Sequence, residues 1–288
     1  MTVDELDLWD KVSRKMFVSI QPDGIINQFE GHEKLEEFPW KKDGKLDHKV
    51  VNQVLEQQGG QLNQYKVSKQ ADVLMLFYLF STEELKELLE RIGYKFDSSM
   101  IPLNILHYTP QMAHNSTLSR ITHAWVLSRL DRANAWKLLY GVNTKPISEK
   151  LTEQNFLPNS WDMFLEALSS DYFDIQGGST PEGIHIGAMA GTLDIVQRCY
   201  TGLVIKDHIL WLDPKLPDSV KRLSFNIRFR KQSLRIEITH AEAVITALQA
   251  LAEPIRIAFA GKVHELTNSQ SLRFSLINEP QQELNSTK

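Results

Sequence analysis

The hydrophobic pattern of this chain changes its period near residue 205, and this change constrains the fold more than any other feature. Upstream, apolar residues recur at helical spacing. Downstream, residues 223–230 and 234–239 alternate apolar and polar side chains, which is typical of half-buried strands, and residues 231–233 fit the turn between them. Because helices come first and strands second, the order predicts an all-α domain followed by a smaller β domain.

Local start and stop signals mark individual elements within these two regions. Ser81 followed by Glu84 has the pattern of a helix cap with acids in the first turn, and Gly93 is placed to end that helix. The predicted helices are 9–18, 69–80, 81–92, 119–130, 132–139, 160–168 and 181–200, and further strands are predicted at 254–259 and 271–276.

Composition excludes several classes of protein. The 288 residues are 42% hydrophobic and 24% charged with a net charge of −4, which is typical of a globular protein. The basic residues are scattered, so no footprint for nucleic acid is present. The chain has no apolar run long enough to span a membrane, no secretory signal, a single cysteine and no metal-ligand spacing among its nine histidines. We therefore expect a cytoplasmic protein without a metal, a membrane partner or a nucleic-acid partner.

Residues 174–192 form the densest cluster of candidate functional residues. The glycine pair 177–178 allows a tight turn, and either hydroxyl of 179–180 can cap a helix that begins at Pro181. The free amides of a helix start favour an anion, and His185 would lie one turn into that helix. The segment predicts either a phosphate or carboxylate site, or a well-capped helix with a hydrogen-bonded histidine.

Four blocks of sequence, taken together, resemble a known family. Residues 69–73, 108–119, 174–192 and 212–217 follow the order and spacing of glycoside hydrolase family 65. The chain is similar to the C-terminal part of that family from about residue 9 to about residue 240. Members of the family include maltose, trehalose and kojibiose phosphorylases and some hydrolases.

The resemblance implies a fold and a set of domain boundaries. The chain would be mainly α with a C-terminal β domain: part of an (α/α)6 barrel of six helical hairpins, followed by a small antiparallel β-sandwich. The corresponding predictions are barrel residues 1–205, sandwich residues 206–277 and a disordered tail at 278–288.

The resemblance also implies a mechanism. In this family a glutamic acid protonates the glycosidic oxygen, and inorganic phosphate attacks the anomeric carbon from the opposite face with inversion. By the resemblance, Lys69 and Gln70 contact the sugar, and Ser116, Thr117 and His185 bind phosphate. Phosphate and a disaccharide or glucose are the expected ligands, and no cofactor is expected.

Two departures from the family pattern leave alternatives open. Asn115 stands where many members have an acid, so a disaccharide hydrolase fragment of trehalase or kojibiase type stays an alternative, although the phosphate set favours a phosphorylase. The general acid of the family lies well upstream of Lys69, so we expect a fragment that has no catalytic residue of its own. Such a fragment would work as a homodimer or with a separately encoded N-terminal half, or would be a non-catalytic carbohydrate-binding or partner-binding remnant.

Overall fold

The computed structural model describes residues 2–39, 46, 51, 53–54, 56–57, 62–68, 70–113, 116–140, 159–175, 178–248 and 253–277, without the side chains of 62 and 131–140. The chain divides into two compact units, Met1–Thr192 and Leu193–Lys288. The first is helical and the second carries the strands, so the predicted order of helices before a sheet domain is confirmed. The predicted tail 278–288 and residues 141–158 lie outside the described residues.

The helical unit begins with an exposed helix and a short turn structure. Helix α1, Val3–Ser13, starts at a capping box formed by Thr2 and Glu5, and none of its residues is buried. It lies earlier than the helix predicted at 9–18. The following segment folds back on itself at the bridge between Ile20 and Ile26.

Helix α4, Met100–Tyr108, holds that turn structure in place. The amide of Asn104 accepts a hydrogen bond from Ile26 N at 2.8 Å and donates one to the carbonyl of Gly24 at 2.9 Å. One turn later, the Tyr108 hydroxyl donates to the carbonyl of Ile26 at 2.5 Å. Since Ile26, Asn104 and Tyr108 are buried, the hydrogen bonds satisfy polar atoms that would otherwise destabilise the fold.

The two helices before α4 match the sequence prediction closely. Helix α2, Asp72–Leu79, buries Val73, Leu74 and Phe77. Helix α3, Thr82–Arg91, begins at Ser81, whose hydroxyl accepts from Glu84 N while the Glu84 carboxylate accepts from Ser81 N. Gly93 follows with a φ of 92°, the left-handed conformation expected after a helix end.

A long helix, α5, forms the centre of the unit. It runs as one element over Thr117–Tyr140, where the sequence had predicted two helices at 119–130 and 132–139. Helix α6, Ser160–Leu168, packs against it in the opposite direction. The Ser160 hydroxyl donates to the carbonyl of Ala124 at 2.6 Å, and Glu166 pairs with Arg120 at 3.1 Å. This antiparallel pair is compatible with a helical hairpin, while the six-hairpin barrel stays a prediction.

Helix α7, Ile186–Asp194, begins in this unit, crosses the boundary at residue 192 and continues into a π-helical turn, Ile195–Cys199. Fully buried side chains from four of these helices form the apolar core of the unit: Leu74, Phe77, Leu85, Ile105 and Ile121.

The C-terminal unit contains two four-stranded sheets with the orders β1-β2-β6-β7 and β3-β4-β5-β8. The strands are β1 Val204–Lys206, β2 Ile209–Leu212, β3 Arg222–Phe229, β4 Gln232–Thr239, β5 Glu242–Ala247, β6 Ile255–Phe259, β7 Lys262–Leu266 and β8 Ser271–Ser275. The predicted β3–β4 hairpin is present, with its turn at Arg230 and Lys231, both at positive φ, rather than at 231–233. Two consecutive residues at positive φ give a turn whose twist matches the twist of the two strands.

The two sheets pack face to face. The ring of Phe259 on β6 stacks on Phe274 of β8 with 4.5 Å between centroids, and His264 of β7 contacts the same ring. The expectation of a purely antiparallel sandwich needs a correction, because β2 pairs with β6 in the parallel direction and makes the first sheet mixed. The predicted boundary between residues 205 and 206 stays a prediction.

Candidate active site

Each described candidate residue lies at the N-terminal end of a helix. Gln70 is exposed and precedes α2 by two residues, Ser116 and Thr117 stand at the start of α5, and His185 immediately precedes α7. Lys69 lies outside the described residues. The candidate residues therefore share a position relative to their helices, even though they come from three separate segments.

Helices α2 and α5 run side by side in the same direction. Just before them, Ser68 pairs with Met112 in a parallel bridge, in which Ser68 N donates to the carbonyl of Gln111 at 2.9 Å and Ala113 N donates to the carbonyl of Ser68 at 3.0 Å. Further along, the Thr122 hydroxyl of α5 contacts the Met75 sulfur of α2 at 2.9 Å. Since contacts advance along both helices together, both helices begin at the same end of the unit.

Helix α7 joins them in the same orientation. A Cβ placed on Gly187 would lie 3.6 Å from Leu118 Cδ2, and one on Gly191 would lie 2.7 Å from Ile121 Cγ2. These contacts also advance along α7 and α5 together, so α7 starts at the end where α5 starts. The absence of a side chain at Gly191 lets the two helices approach closely.

Three described helices thus direct their N-terminal ends to one region of the unit. Helix N-termini carry partial positive charge and free backbone donors, which favour an anion. Gln70, the hydroxyls at 116–117 and the imidazole of His185 are placed at that end. The arrangement combines amide, hydroxyl and imidazole groups, which are suitable for binding sugar hydroxyls and an oxyanion.

The predicted helix start in residues 174–192 is wrong in one respect. Pro181 lies in a separate 3₁₀ turn, Thr180–Glu182, which ends at Gly183 with a φ of 138°. The carbonyl of His185 accepts hydrogen bonds from Ala188 N and Met189 N at 2.9 and 3.1 Å. His185 is therefore the residue ahead of α7, not a residue one turn inside the helix.

Asp171 holds His185 through two hydrogen bonds. Its Oδ1 lies 2.5 Å from His185 Nδ1, and its Oδ2 accepts from His185 N at 2.9 Å. The His185 hydrogen bond lowers the pKa of the Asp171 carboxyl, so it is ionised at neutral pH. The Asp171 side chain is 11% exposed and that of His185 30% exposed, which leaves the histidine accessible to a small ligand.

Asp174 occupies the backbone donors that the sequence had assigned to an external anion. Its Oδ2 accepts from Gly178 N at 2.7 Å, and its Oδ1 accepts from Thr180 N at 3.2 Å and from the Thr180 hydroxyl at 3.1 Å. The backbone N–H of Thr180 is the main cause of the lowered pKa of Asp174. Ser179 makes no side-chain cap, so neither predicted hydroxyl caps a helix and these amides bind the chain's own carboxylate.

Two family models match the chain over most of its length. The glycosyl hydrolase family 65 central catalytic domain matches residues 1–155, and the C-terminal domain of the same family matches residues 203–266. The chain belongs to glycosyl hydrolase family 65.

Relatives within family 65 include hydrolases and phosphorylases by name. An uncharacterized glycosyl hydrolase of Mycobacterium tuberculosis is 39% identical over 92% of this chain and 18% of its own length. Trehalose 6-phosphate phosphorylase of Lactococcus lactis is 30% identical over 84% of this chain and 29% of its own length. Kojibiose phosphorylase of Caldanaerobacter subterraneus is 25% identical over 91% of the chain and 29% of its own length. The chain thus spans less than a third of the length of these relatives.

A solved structure supports the family 65 fold. A protein described as a kojibiose phosphorylase from the human microbiome aligns with a TM-score of 0.65 and 20% identity, covering 97% of this chain and 35% of the solved one. At this identity the likeness shows the fold alone.

Two other histidines of the helical unit, His123 and His32, are buried. Burial lowers the pKa of His123 to about 4, so this fully buried histidine is neutral at physiological pH. Burial also lowers the pKa of His32. Among the described residues, no group of three His, Cys, Asp or Glu side chains could hold a metal ion, and no helix is long and apolar enough to cross a membrane.

Proposed function

We propose that this chain supplies the sugar- and phosphate-binding part of an inverting α-glucosyl disaccharide phosphorylase. The observation that carries the proposal is the convergence of three helix N-termini at the end where Gln70, Ser116, Thr117 and His185 lie. The relatives of the chain include proteins named trehalose 6-phosphate phosphorylase and kojibiose phosphorylase, which supports the phosphorylase function.

In the proposed reaction, inorganic phosphate attacks the anomeric carbon of the glucosyl group and inverts its configuration. Gln70, together with Lys69, would hold the glucosyl hydroxyls, because an amide offers both donors and an acceptor. Ser116, Thr117 and His185 would hold the phosphate, with the positive ends of α5 and α7 adding to the attraction. These residues bind and orient the reactants, and no protein-bound cofactor takes part.

We propose that a glutamic acid from outside the sugar- and phosphate-binding part protonates the glycosidic oxygen. General acid catalysis contributes about 10²–10⁴-fold to a rate. We therefore expect the chain alone to bind ligands without measurable turnover of trehalose, kojibiose or maltose. Phosphate-dependent release of glucose 1-phosphate by the purified chain would contradict this part of the proposal.

Isothermal titration with inorganic phosphate and with glucose, separately and then together, tests the binding function. We expect saturable phosphate binding that is lost in His185→Ala and retained in His240→Ala, a matched control at an exposed position in the C-terminal unit. The reasoning fails if phosphate does not bind to the folded chain, and that result would favour the non-catalytic remnant. Glucose binding without any phosphate effect would favour the hydrolase alternative.

We further propose that the chain works with additional polypeptide, either a second copy or a separately encoded N-terminal half. Helix α1 supports this, because Leu6, Trp9 and Val12 are all more than half exposed. Leu6 and Trp9 line a cavity together with Leu88 of α3. Apolar surface of this kind marks an interaction site. Sedimentation of the purified chain as a monomer that is unchanged by Trp9→Glu would argue against a homodimer through α1.

A further inference from the structure

The two oxygens of Asp171 are both used by one residue, His185. Oδ1 lies 2.5 Å from the ring nitrogen Nδ1, and Oδ2 accepts from the backbone N–H at 2.9 Å. The first contact fixes the rotation of the ring, and the second fixes the backbone that carries it. Together they determine where the opposite ring nitrogen, Nε2, is directed.

The contact also determines which ring nitrogen carries the proton. A carboxylate accepts hydrogen bonds and does not donate them, so Nδ1 must carry hydrogen. In the neutral ring Nε2 is then an acceptor, and in the imidazolium Nε2 becomes a donor. Asp171 thereby determines whether Nε2, on the opposite side of the ring, accepts or donates a hydrogen bond in each protonation state.

We propose that Asp171 is a positioning residue of the phosphate site, which holds the Nδ1–H form of His185 and presents Nε2 to inorganic phosphate. This inference rests on the proposed function, because it requires that His185 binds phosphate. Asp171 would act through His185 and would not itself contact phosphate.

The charge of Asp171 adds to this positioning effect. When both ring nitrogens carry hydrogen, Nε2 donates a charge-assisted hydrogen bond to a phosphate oxygen while the Asp171 carboxylate accepts at Nδ1. Binding of phosphate at Nε2 would thus place the imidazole between two anions, one fixed and one from solution. Because the Asp171 side chain is only 11% exposed, water competes little for the fixed anion.

Asp174 provides a matched control, since it lies three residues away and carries the same charge. Its carboxylate accepts hydrogen bonds from Gly178 N, Thr180 N and the Thr180 hydroxyl, and forms none with His185. A variant of Asp174 therefore perturbs the same loop, while the carboxylate on His185 Nδ1 is retained.

Nitrogen-15 NMR of the histidine rings in the purified chain tests the proposal, with the His185 signals assigned from their loss in His185→Ala. In the wild type we expect the neutral His185 ring in the Nδ1–H form. In Asp171→Asn an amide has one acceptor oxygen for two donors, so we expect the ring to shift toward the Nε2–H form. Asp174→Asn should leave the protonated nitrogen of His185 unchanged.

Phosphate titrations of the same samples complete the test. We expect Asp171→Asn to raise the dissociation constant of phosphate about tenfold. A change of this size is expected for the loss of a single charge-assisted contact. Asp171→Glu, which keeps both acceptor oxygens, should recover part of the affinity. A purely structural role for Asp171 would change stability and would leave the protonated nitrogen as it is.

The outcomes separate this inference from the proposed function. If His185→Ala binds phosphate like the wild type, the proposed phosphate site itself fails. If His185→Ala loses binding but the wild-type ring is in the Nε2–H form, or Asp171→Asn changes neither ring nor affinity, the role of Asp171 is refuted. If Asp171→Asn does not fold, the protonated nitrogen of the wild-type His185 ring and the phosphate titration of Asp171→Glu still test the role of Asp171.

Discussion

The close approach of α7 to α5 is expected to depend on Gly191. A Cβ at this position would lie 2.7 Å from Cγ2 and 3.1 Å from Cγ1 of Ile121, whereas favourable carbon contacts lie at about 3.5–4.0 Å. Overpacking of this kind costs about 1–3 kcal/mol, and the better helix propensity of alanine returns about 1 kcal/mol. We therefore expect Gly191→Ala to lower the free energy of unfolding by about 1 kcal/mol.

Gly187 is the matched control, four residues earlier on the same helix face. A Cβ there would lie 3.6 Å from Leu118 Cδ2, which is an ordinary contact. Gly187→Ala should therefore keep the gain in helix propensity and leave stability unchanged or raise it by up to about 1 kcal/mol. The assay is urea unfolding followed by far-ultraviolet circular dichroism, which reports mainly on the helical unit.

A second substitution, Ile121→Ala, should reverse the sign of the stability change that Gly191→Ala causes. Ile121→Ala removes the three side-chain atoms near Gly191 and should itself cost about 2–5 kcal/mol through the cavity it leaves. In that background the methyl group of Gly191→Ala fills part of the cavity, so the substitution should stabilise the protein, and a double-mutant cycle should show coupling of about 1–3 kcal/mol. The packing argument is refuted if Gly191→Ala has the same effect in both backgrounds.

Four further substitutions test other features of the helical unit. Ser81→Ala removes the cap of α3 and should cost about 1 kcal/mol in urea unfolding. Asn104→Ala leaves buried backbone groups of the 24–26 turn unpaired and should cost about 3 kcal/mol, whereas Tyr108→Phe removes one hydroxyl contact and should cost about 1 kcal/mol in the same assay. Backbone N–H groups lower the pKa of Asp174, so its stabilising effect is complete above pH 3.8, the ordinary Asp value, and is lost as the pH falls toward the lowered pKa. Asp174→Asn should lack this effect at neutral pH and show a shallower loss of stability in acid, as measured by thermal melts between pH 7 and pH 2.

Features encoded within a few residues could be read from the sequence. The cap at Ser81, the helix end at Gly93 and the β3–β4 hairpin each depend on short-range signals, and the structure contains all three. Strands β1, β2, β5 and β7 were not predicted. The parallel pairing of β2 with β6 joins segments more than forty residues apart, so no local pattern reports it.

The supporting contacts of the candidate site could not be predicted from the sequence. Gln70, Ser116, Thr117 and His185 lie at one end of the helical unit, while their individual roles stay predictions. Asp171 was missed because it lies 14 residues before His185, and only the path of the intervening loop brings the two together.

The start of α7 was mispredicted for a physical reason that bears on phosphate binding. The signals at Ser179 and Pro181 are genuine start signals, but the carboxylate of Asp174 competes for the same backbone donors and closes a separate turn. An external phosphate would have to displace an internal anion to use those amides. Phosphate binding in this family 65 chain should therefore depend on side chains and on the starts of α5 and α7, rather than on the glycine turn. The orientation that Asp171 gives to the His185 ring should therefore limit phosphate affinity.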